Sequence, residues 1–108
     1  MIFYISGKMT GLHNKNKDEF NAAEKYLKNL GHIVLNPASL PDGLRNNSYM
    51  SIGVSFIDAS DAVYMLSSYP DSKGAEIELK YALYQNKKVF FEGDNDVPHD
   101  TCSVGEGP

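Results

Sequence analysis

The sequence predicts an α/β domain, a flavodoxin- or Rossmann-like three-layer sandwich with a mostly parallel sheet of four to five strands. Short apolar runs alternate along the chain with longer segments whose apolar residues recur at helical spacing. Short polar spacers with Gly, Pro and Asn separate them. This alternation is typical of a parallel sheet with helices on both faces. The length of 108 residues suits one such domain.

The first half of the chain supplies two strands and one helix. Residues 1–6 form a short apolar run that ends in Ser-Gly, which indicates a buried strand. Residues 17–30 carry apolar side chains at helical spacing, and Gly31 then ends the helix. Residues 32–35 follow as a second strand, which Asn-Pro at 36–37 closes.

The second half continues the alternation. Ser48 is a predicted helix cap, and the helix 48–60 is apolar on most sides, so we expect it to be well buried. Residues 62–66 form a third apolar run and a third predicted strand. The predicted helix 74–85 and the strand 88–91 complete the pattern.

The domain is expected to span residues 1–92, because the composition changes at that point. Residues 93–108 are acidic, rich in Gly and Asp and poor in apolar side chains. Such a segment is either a flexible tail or a segment that a neighbouring subunit orders. A domain of this size buries a modest core, so self-association is a reasonable way to cover further apolar surface.

Composition excludes several classes of function and predicts a cytoplasmic protein. A net charge of −4 argues against a nucleic-acid polymer as partner. Cys102 is the only cysteine, which excludes an intrachain disulfide and a cysteine-rich zinc site. No His spacing suggests a metal site, and no cofactor is expected. No stretch approaches the roughly 20 apolar residues that span a bilayer, so no membrane association is expected.

The first candidate binding loop follows the first predicted strand. Ligands of open parallel sheets bind beyond the carboxyl ends of the strands. Here Gly7 and Gly11 allow backbone amides to approach an anion, and Lys8 and Thr10 add donors. The alternative interpretation is a strand-to-loop turn that simply requires glycine.

The second candidate loop opens the helix after the third predicted strand. Ser72 and Gly74 precede a helix N-terminus, where unpaired amides and a partial positive charge suit a phosphate. Glu76 and Glu78 follow, about 200° apart around the helix, so they cannot both face one pocket. The alternative is that both carboxylates only complement the helix dipole.

Asp58 is a third candidate because its position is electrostatically unfavourable. It lies in the last predicted turn of the helix 48–60, where the dipole disfavours negative charge. An unfavourable placement needs compensation, either from neighbours or from a functional role. Asp61, by contrast, is interpreted as a capping or turn residue.

Three segments together resemble the nucleoside 2-deoxyribosyltransferase superfamily. They are residues 4–11 (Tyr-Ile-Ser-Gly-Lys-Met-Thr-Gly), 61–66 (Asp-Ala-Val-Tyr-Met-Leu) and 72–79 (Ser-Lys-Gly-Ala-Glu-Ile-Glu-Leu). Within it the chain looks most similar to small uncharacterised phage and bacterial members, and next to the 2′-deoxynucleoside 5′-monophosphate N-glycosidases. The similarity spans residues 1 to about 92, and it depends on the order and spacing of the three segments.

The resemblance implies an enzyme that cleaves or transfers at the N-glycosidic bond of a 2′-deoxynucleoside or its 5′-monophosphate. In this family a glutamate attacks the anomeric carbon, and Glu78 is the matching residue. It also implies a homodimer, and a bacterial host cytoplasm if the gene is phage-borne. The residues that match the substrate-binding positions are Tyr4, Gly7, Lys8, Thr10, Gly11, Ser72 and Gly74.

One position departs from the family pattern. The enzymes carry an aspartate in the helix before the third strand, which assists protonation of the leaving base, and the nearest match here is Gly53. Glycine cannot be a general acid. Either Asp58 substitutes as a catalytic group, or activity is lost, or the chain only binds its ligand. The alternative function is therefore a non-catalytic protein that sequesters a nucleotide or nucleotide-derived ligand.

Overall fold

A sheet of four parallel strands forms the centre of the computed structural model, which describes residues 1–9 and 16–99. In these residues the strand order is β2-β1-β3-β4, with each neighbouring pair parallel. The strands are β1 (Ile2–Ser6), β2 (Ile33–Leu35), β3 (Ala62–Met65) and β4 (Lys88–Phe91). The predicted α/β fold with a parallel sheet is confirmed.

Three helices cover the two faces of the sheet. They are α1 (Lys17–Asn29), α2 (Asn46–Ala59) and α3 (Lys73–Tyr84), counted over the same described residues. Side chains alternate along a strand, so Phe3 and Ile5 face α1 while Tyr4 faces α2 and α3. The apolar side chains of α1 and of the α2–α3 pair therefore fill two separate cores, which makes the fold a three-layer sandwich.

The chain order reverses between β1 and β3, and this reversal positions the functional site. From β1 the chain passes through α1 to β2 on one side, then crosses through α2 to β3 on the other. Phe3 of β1 is level with Ala62 of β3, and Ser6 is level with Met65. The two strands therefore end together. A crevice beyond the carboxyl ends of strands at such a point is where open sheets bind ligands.

Helix α2 differs from the prediction at its start and in its burial. It begins at Asn46, with Arg45 as an N-cap that makes no side-chain hydrogen bond, so the predicted cap at Ser48 is wrong. Only Gly53 and Ile57 are buried, so the expectation of a well-buried helix is also wrong. The reason is that α2 lies on the sheet along one narrow stripe, while its other apolar side chains stay partly exposed.

The remaining element ends agree with the prediction to within one or two residues. Helix α1 ends before Gly31, whose φ of 97° lies in the left-handed region that favours glycine. Short 3₁₀ turns at Pro37–Ser39 and Tyr69–Asp71 were not anticipated. Both turns follow a strand and precede a helix, so they shape the loops around the crevice.

The segment after β4 packs against the domain over its first residues. Val97 is 8% exposed and joins the core that contains Phe3 and Phe90. The Nε2 atom of His32 lies 2.6 Å from the carbonyl oxygen of Pro98 and donates to it. Residues 100–108 lie outside the described residues, so the expectation that the segment 93–108 is a flexible tail or is ordered by a neighbouring subunit stays a prediction.

Candidate functional site

A cleft of about 870 Å³ opens beyond the carboxyl ends of β1 and β3. Its walls are the loop after β1, the N-terminal turns of α2 and α3, and the segment that leads into each helix. Predicted site residues that line it are Tyr4, Gly7, Lys8, Ser72, Gly74 and Glu78. The structure therefore brings together residues of β1 and the loop after it with residues at the start of α3.

Glu78 lies at the buried end of this cleft, held by two hydroxyl groups of β1. Its Oε1 atom accepts a hydrogen bond of 2.6 Å from Ser6 Oγ, and its Oε2 atom accepts one of 3.0 Å from the Tyr4 hydroxyl. Tyr4 and Ser6 are two residues apart on one strand, so both side chains point to the same face. All three residues are less than 10% exposed. The carboxyl group therefore has one fixed orientation.

Burial dominates the electrostatics of this cluster. It raises the pKa of Glu78, and the hydrogen bonds from Ser6 and Tyr4 oppose part of that rise. Burial and the neighbouring carboxylate together raise the pKa of Tyr4 well above its usual value, so Tyr4 stays a donor. An ionised carboxylate offers about four lone-pair sites. Ser6 and Tyr4 occupy two, which leaves acceptor capacity for a ligand in the cleft.

Gly53 on α2 is in direct contact with this carboxyl group. A Cβ atom built on Gly53 would overlap Glu78 Oε2 and lie 2.9 Å from the Tyr4 hydroxyl oxygen. The contact therefore requires glycine, since any side chain here would displace Glu78 or Tyr4. This is the position at which the superfamily resemblance implies an aspartate. In this chain the volume next to the α2 backbone is filled by Glu78 instead.

The N-terminus of α3 forms the wall nearest the mouth of the cleft. Ser72 is the N-cap, and its Oγ accepts a 3.1 Å hydrogen bond from the Ala75 amide. The first hydrogen bond within α3 runs from the Glu76 amide to the Ser72 carbonyl. The amides of Lys73 and Gly74 therefore have no acceptor within the helix, and both residues line the cleft. This wall can bind an anion.

The loop after β1 forms a second wall, of which the structure describes only the start. A Cβ on Gly7 would lie 2.9 Å from the Leu66 side chain, so glycine is needed where the two strands end together. The Lys8 amide donates to Ser68 Oγ at 3.1 Å, which ties the loop to the segment after β3. Thr10 and Gly11, two of the predicted binding residues, lie outside the described residues.

Asp58 is not among the described residues that line the cleft. Its Oδ1 atom accepts hydrogen bonds from the Tyr81 hydroxyl at 2.6 Å and from Gln85 at 3.2 Å. Lys87 Nζ donates to the carbonyl oxygens of Asp58 and Ser60 at the end of α2. These donors are the compensation that the unfavourable position needs. The geometry thus indicates that Asp58 links α2 to α3, and it gives no support to a catalytic role for Asp58.

Two other acidic residues considered in the sequence, Asp61 and Glu76, lie away from the cleft. Asp61 Oδ2 accepts a 2.8 Å hydrogen bond from the Ile2 amide, which ties the start of β3 to the start of β1 and differs from the local capping or turn role expected of it. Glu76 is exposed and, unlike Glu78, does not line the cleft. The functional residue that the sequence analysis missed is Ser6, since it was quoted only as part of a motif. The alternation of side chains along β1 is the signal that could have paired it with Tyr4.

A sequence model of one protein family matches residues 1–91, described as a domain of unknown function (DUF4406). The chain belongs to this family. The match runs from the first residue to the end of β4, so the DUF4406 domain contains the whole sheet, all three helices and the cleft. No protein with a curated description matches the chain.

A solved structure of a 2-desoxiribosyltransferase from Leishmania mexicana is similar to this DUF4406 domain in fold. The TM-score is 0.66 at 18% sequence identity, over 83% of this chain and 62% of the other. The DUF4406 chain thus spans about three-fifths of that protein's length. At this identity the likeness concerns the fold alone. It agrees with the α/β fold that the sequence motifs imply.

Two features are absent from the part of the DUF4406 chain that the structure describes. Over residues 1–9 and 16–99 no three His, Cys, Asp or Glu side chains are grouped so that they could hold a metal ion. Within the same residues no helix has both the length and the apolar character to span a membrane.

Proposed function

We propose that the cleft binds a nucleoside or nucleotide-derived small molecule, with the sugar against Glu78, and holds it without cleaving it. The observation that carries this proposal is the contact between Gly53 and the Glu78 carboxyl group. Glu78 matches the nucleophile that the superfamily resemblance implies, while Gly53, the α2 residue against its carboxyl group, has no acidic side chain to protonate a departing base. Binding needs only the first of these features, whereas cleavage of the bond to a base is about 10²- to 10⁴-fold slower without an acid to protonate that base.

Backbone amides and lysine side chains at the mouth of the cleft support a ligand that carries a phosphate group. The amides of Lys73 and Gly74 at the α3 N-terminus, with the positive end of the helix dipole, suit an anion. Lys8 and Lys73 line the same space and add positive charge. A net charge of −4 for the chain leaves this as a local feature, suited to a small ligand.

The buried end of the cleft supports a sugar as the next part of the ligand. Ser72 and Glu78 are six residues apart on α3, which is about 9 Å along a helix axis. A sugar between a phosphate at one end and a carboxylate at the other spans such a distance. The two acceptor sites that Ser6 and Tyr4 leave on Glu78 suit sugar hydroxyl groups.

Cleavage is faster when an acid protonates the departing base, and the described residues place no second buried carboxyl group beside Glu78 in the cleft. When Glu78 forms a bond to the anomeric carbon, the carbon–nitrogen bond breaks and its electron pair goes to the base nitrogen. Gly53 cannot donate a proton to that nitrogen, and Asp58 accepts a hydrogen bond from Tyr81 outside the cleft. Asp71 lines the cleft but is exposed, before the first turn of α3.

Cleavage or transfer at the N-glycosidic bond is the second candidate, and a specific observation favours it. The Glu78 carboxyl group is buried and oriented by two donors, in a fold similar to that of a 2-desoxiribosyltransferase. In this mechanism Glu78 bonds to the anomeric carbon and the base leaves with its electron pair and a proton from water. A water molecule or a second base then takes the sugar from Glu78.

The test is calorimetric titration with deoxynucleoside and ribonucleoside 5′-monophosphates. Glu78→Ala should weaken binding about 10- to 100-fold, because it removes a charged acceptor of sugar hydroxyl groups. Glu76→Ala is the matched control: it removes an exposed carboxylate from the same helix, and its affinity should stay within about twofold of the wild type. Absence of binding by the wild type, or equal effects of both changes, would contradict the proposal.

A further inference from the structure

The lining of the cleft offers a ligand one aromatic surface among the described residues. Three aromatic side chains line it in that part of the chain: Tyr4, Phe20 and Tyr49. Tyr4 is 2% exposed and Phe20 is fully buried, so both rings are enclosed by the protein. Tyr49 is partly exposed. Its ring is therefore the one that a ligand in the cleft can reach.

The Tyr49 ring is held by its hydroxyl group. That group donates a 2.7 Å hydrogen bond to the carbonyl oxygen of Pro41, in the loop before α2. A ring tied at its far end loses little further freedom when a ligand packs on it, so stacking there costs little entropy. Asn46 and Asn47 also line the cleft in the same turn of α2 and carry amide groups that both donate and accept.

The position of Tyr49 on α2 relates it to the sugar site. Tyr49 precedes Gly53 by four residues, which is about one helical turn or 6 Å along the axis. Gly53 touches the Glu78 carboxyl group, against which the sugar is placed in the function proposed above. A base attached to that sugar extends away from Glu78 by about the size of one ring. The first turn of α2 is thus within reach of the base.

We propose that Tyr49 is the residue on which the base of the ligand stacks. The inference rests on the proposed function and adds to it the residue that recognises the purine or pyrimidine base. Glu78 then binds the sugar, the α3 N-terminus binds the phosphate, and Tyr49 selects ligands with a base over sugar phosphates without one. Base–aromatic stacking of this kind changes affinity by about 10- to 100-fold per base.

The test compares ligands with and without a base. Wild type, Tyr49→Ala and Tyr49→Phe are titrated with the nucleoside and deoxynucleoside 5′-monophosphates, and with ribose 5-phosphate and 2-deoxyribose 5-phosphate. Tyr49→Ala should weaken nucleotide binding about 10- to 100-fold and leave sugar-phosphate binding within about twofold. Tyr49→Phe keeps the ring, so nucleotide affinity should stay within a few-fold of the wild type.

The control is Tyr84→Ala, which removes a tyrosine that is 82% exposed at the end of α3. It should change neither affinity. Nucleotide binding by Tyr49→Ala at wild-type strength would overturn the assignment of Tyr49, and so would an equal loss for both classes of ligand. If the wild type binds sugar phosphates and nucleotides equally, the inference fails while the proposed site survives. If the wild type binds none of these ligands, the proposed function fails as well.

Discussion

Replacement of Gly53 by alanine places a methyl group where Glu78 Oε2 now lies. The new carbon would also lie 2.9 Å from the Tyr4 hydroxyl oxygen and 3.3 Å from Glu78 Cδ, so the carboxyl group must move. Displacement of a packed group costs about 1–3 kcal/mol, and we expect about 3 kcal/mol because a buried hydrogen bond to Glu78 is lost with it. Alanine gains about 1 kcal/mol over glycine in a helix. The net loss of unfolding free energy is therefore about 2 kcal/mol.

The double variant separates the steric effect from the helical one. When Glu78 is already alanine, no carboxyl group opposes the new methyl group, and the space that Glu78 leaves lets the Tyr4 hydroxyl move away from it, so Gly53→Ala should stabilise the protein by about 1 kcal/mol. The coupling between the two positions is then about 3 kcal/mol, the upper end of the range for residues in contact. Urea unfolding of the wild type, both single variants and the double variant gives this number.

A fifth protein, Ser55→Ala, is the control, and the four proteins above give the refuting result. Ser55→Ala changes an exposed residue of the same helix and should alter the unfolding free energy by no more than about 0.5 kcal/mol. If Gly53→Ala destabilises the Glu78→Ala protein as much as the wild type, Gly53 and Glu78 are not coupled. The account of why this chain has glycine at position 53 would then be wrong.

Three further predictions concern the carboxyl cluster and the anion wall. Tyr4→Phe removes a hydrogen-bond donor from the buried Glu78 carboxyl group and should lower the unfolding free energy, measured in urea, by about 1–3 kcal/mol. The control is Tyr26→Phe, on a ring that is 40% exposed, which should lower it by no more than about 0.5 kcal/mol. Equal losses would count against the hydrogen bond between Tyr4 and Glu78. Ser72→Ala removes the α3 N-cap, so it should lower the unfolding free energy by about 0.5–2 kcal/mol and weaken phosphate binding. The control is Ser48→Ala, which removes no cap and should leave phosphate affinity unchanged. An equal loss of phosphate affinity in both variants would rule out the site at the helix end. Burial raises the pKa of Glu78 above its ordinary 4.5, so the folded state holds this proton more tightly than the unfolded state. The stability of the wild type relative to Glu78→Gln is therefore greatest below about pH 4.5 and falls as the pH rises through the folded-state pKa of Glu78. Unfolding curves of both proteins between pH 4 and 8 measure this difference. A difference that grows with pH would mean that folding lowers the pKa of Glu78.

Local patterns in the sequence were sufficient for the architecture. The four strands and three helices of the described residues were each predicted, because short apolar runs and helical spacing reflect burial on one or two faces. The glycine at position 31 correctly marked the end of α1. Helix α2 was the exception, since apolar residues at most of its positions suggested full burial. Some of those side chains line a cleft, and a sequence pattern alone does not distinguish a cleft wall from a core.

Contacts between distant residues could not be predicted in the same way. The hydrogen bond from Tyr4 to Glu78 joins residues 74 positions apart, and the Gly53 contact adds a third element to that pair. No local pattern specifies which face of α2 meets which face of α3. The family resemblance gave Glu78 a role, and helix geometry separated it from Glu76, but only the folded chain brings Gly53 against the carboxyl group. Asp58 was a candidate because of its unfavourable helix position, and the donors that compensate it lie far along the chain: Tyr81 on α3 and Gln85 at the C-cap of α3.

The most direct test of the central claim is recovery of the ligand after binding. Wild-type protein in molar excess is incubated with each nucleoside 5′-monophosphate that calorimetry shows to bind, then denatured, and the supernatant is separated by chromatography. The account predicts that the nucleotide is recovered intact, with no free base, from both the wild type and Glu78→Ala. Free base released by the wild type and absent with Glu78→Ala would contradict it, and would establish Glu78 as the nucleophile of an N-glycosidase or a transferase.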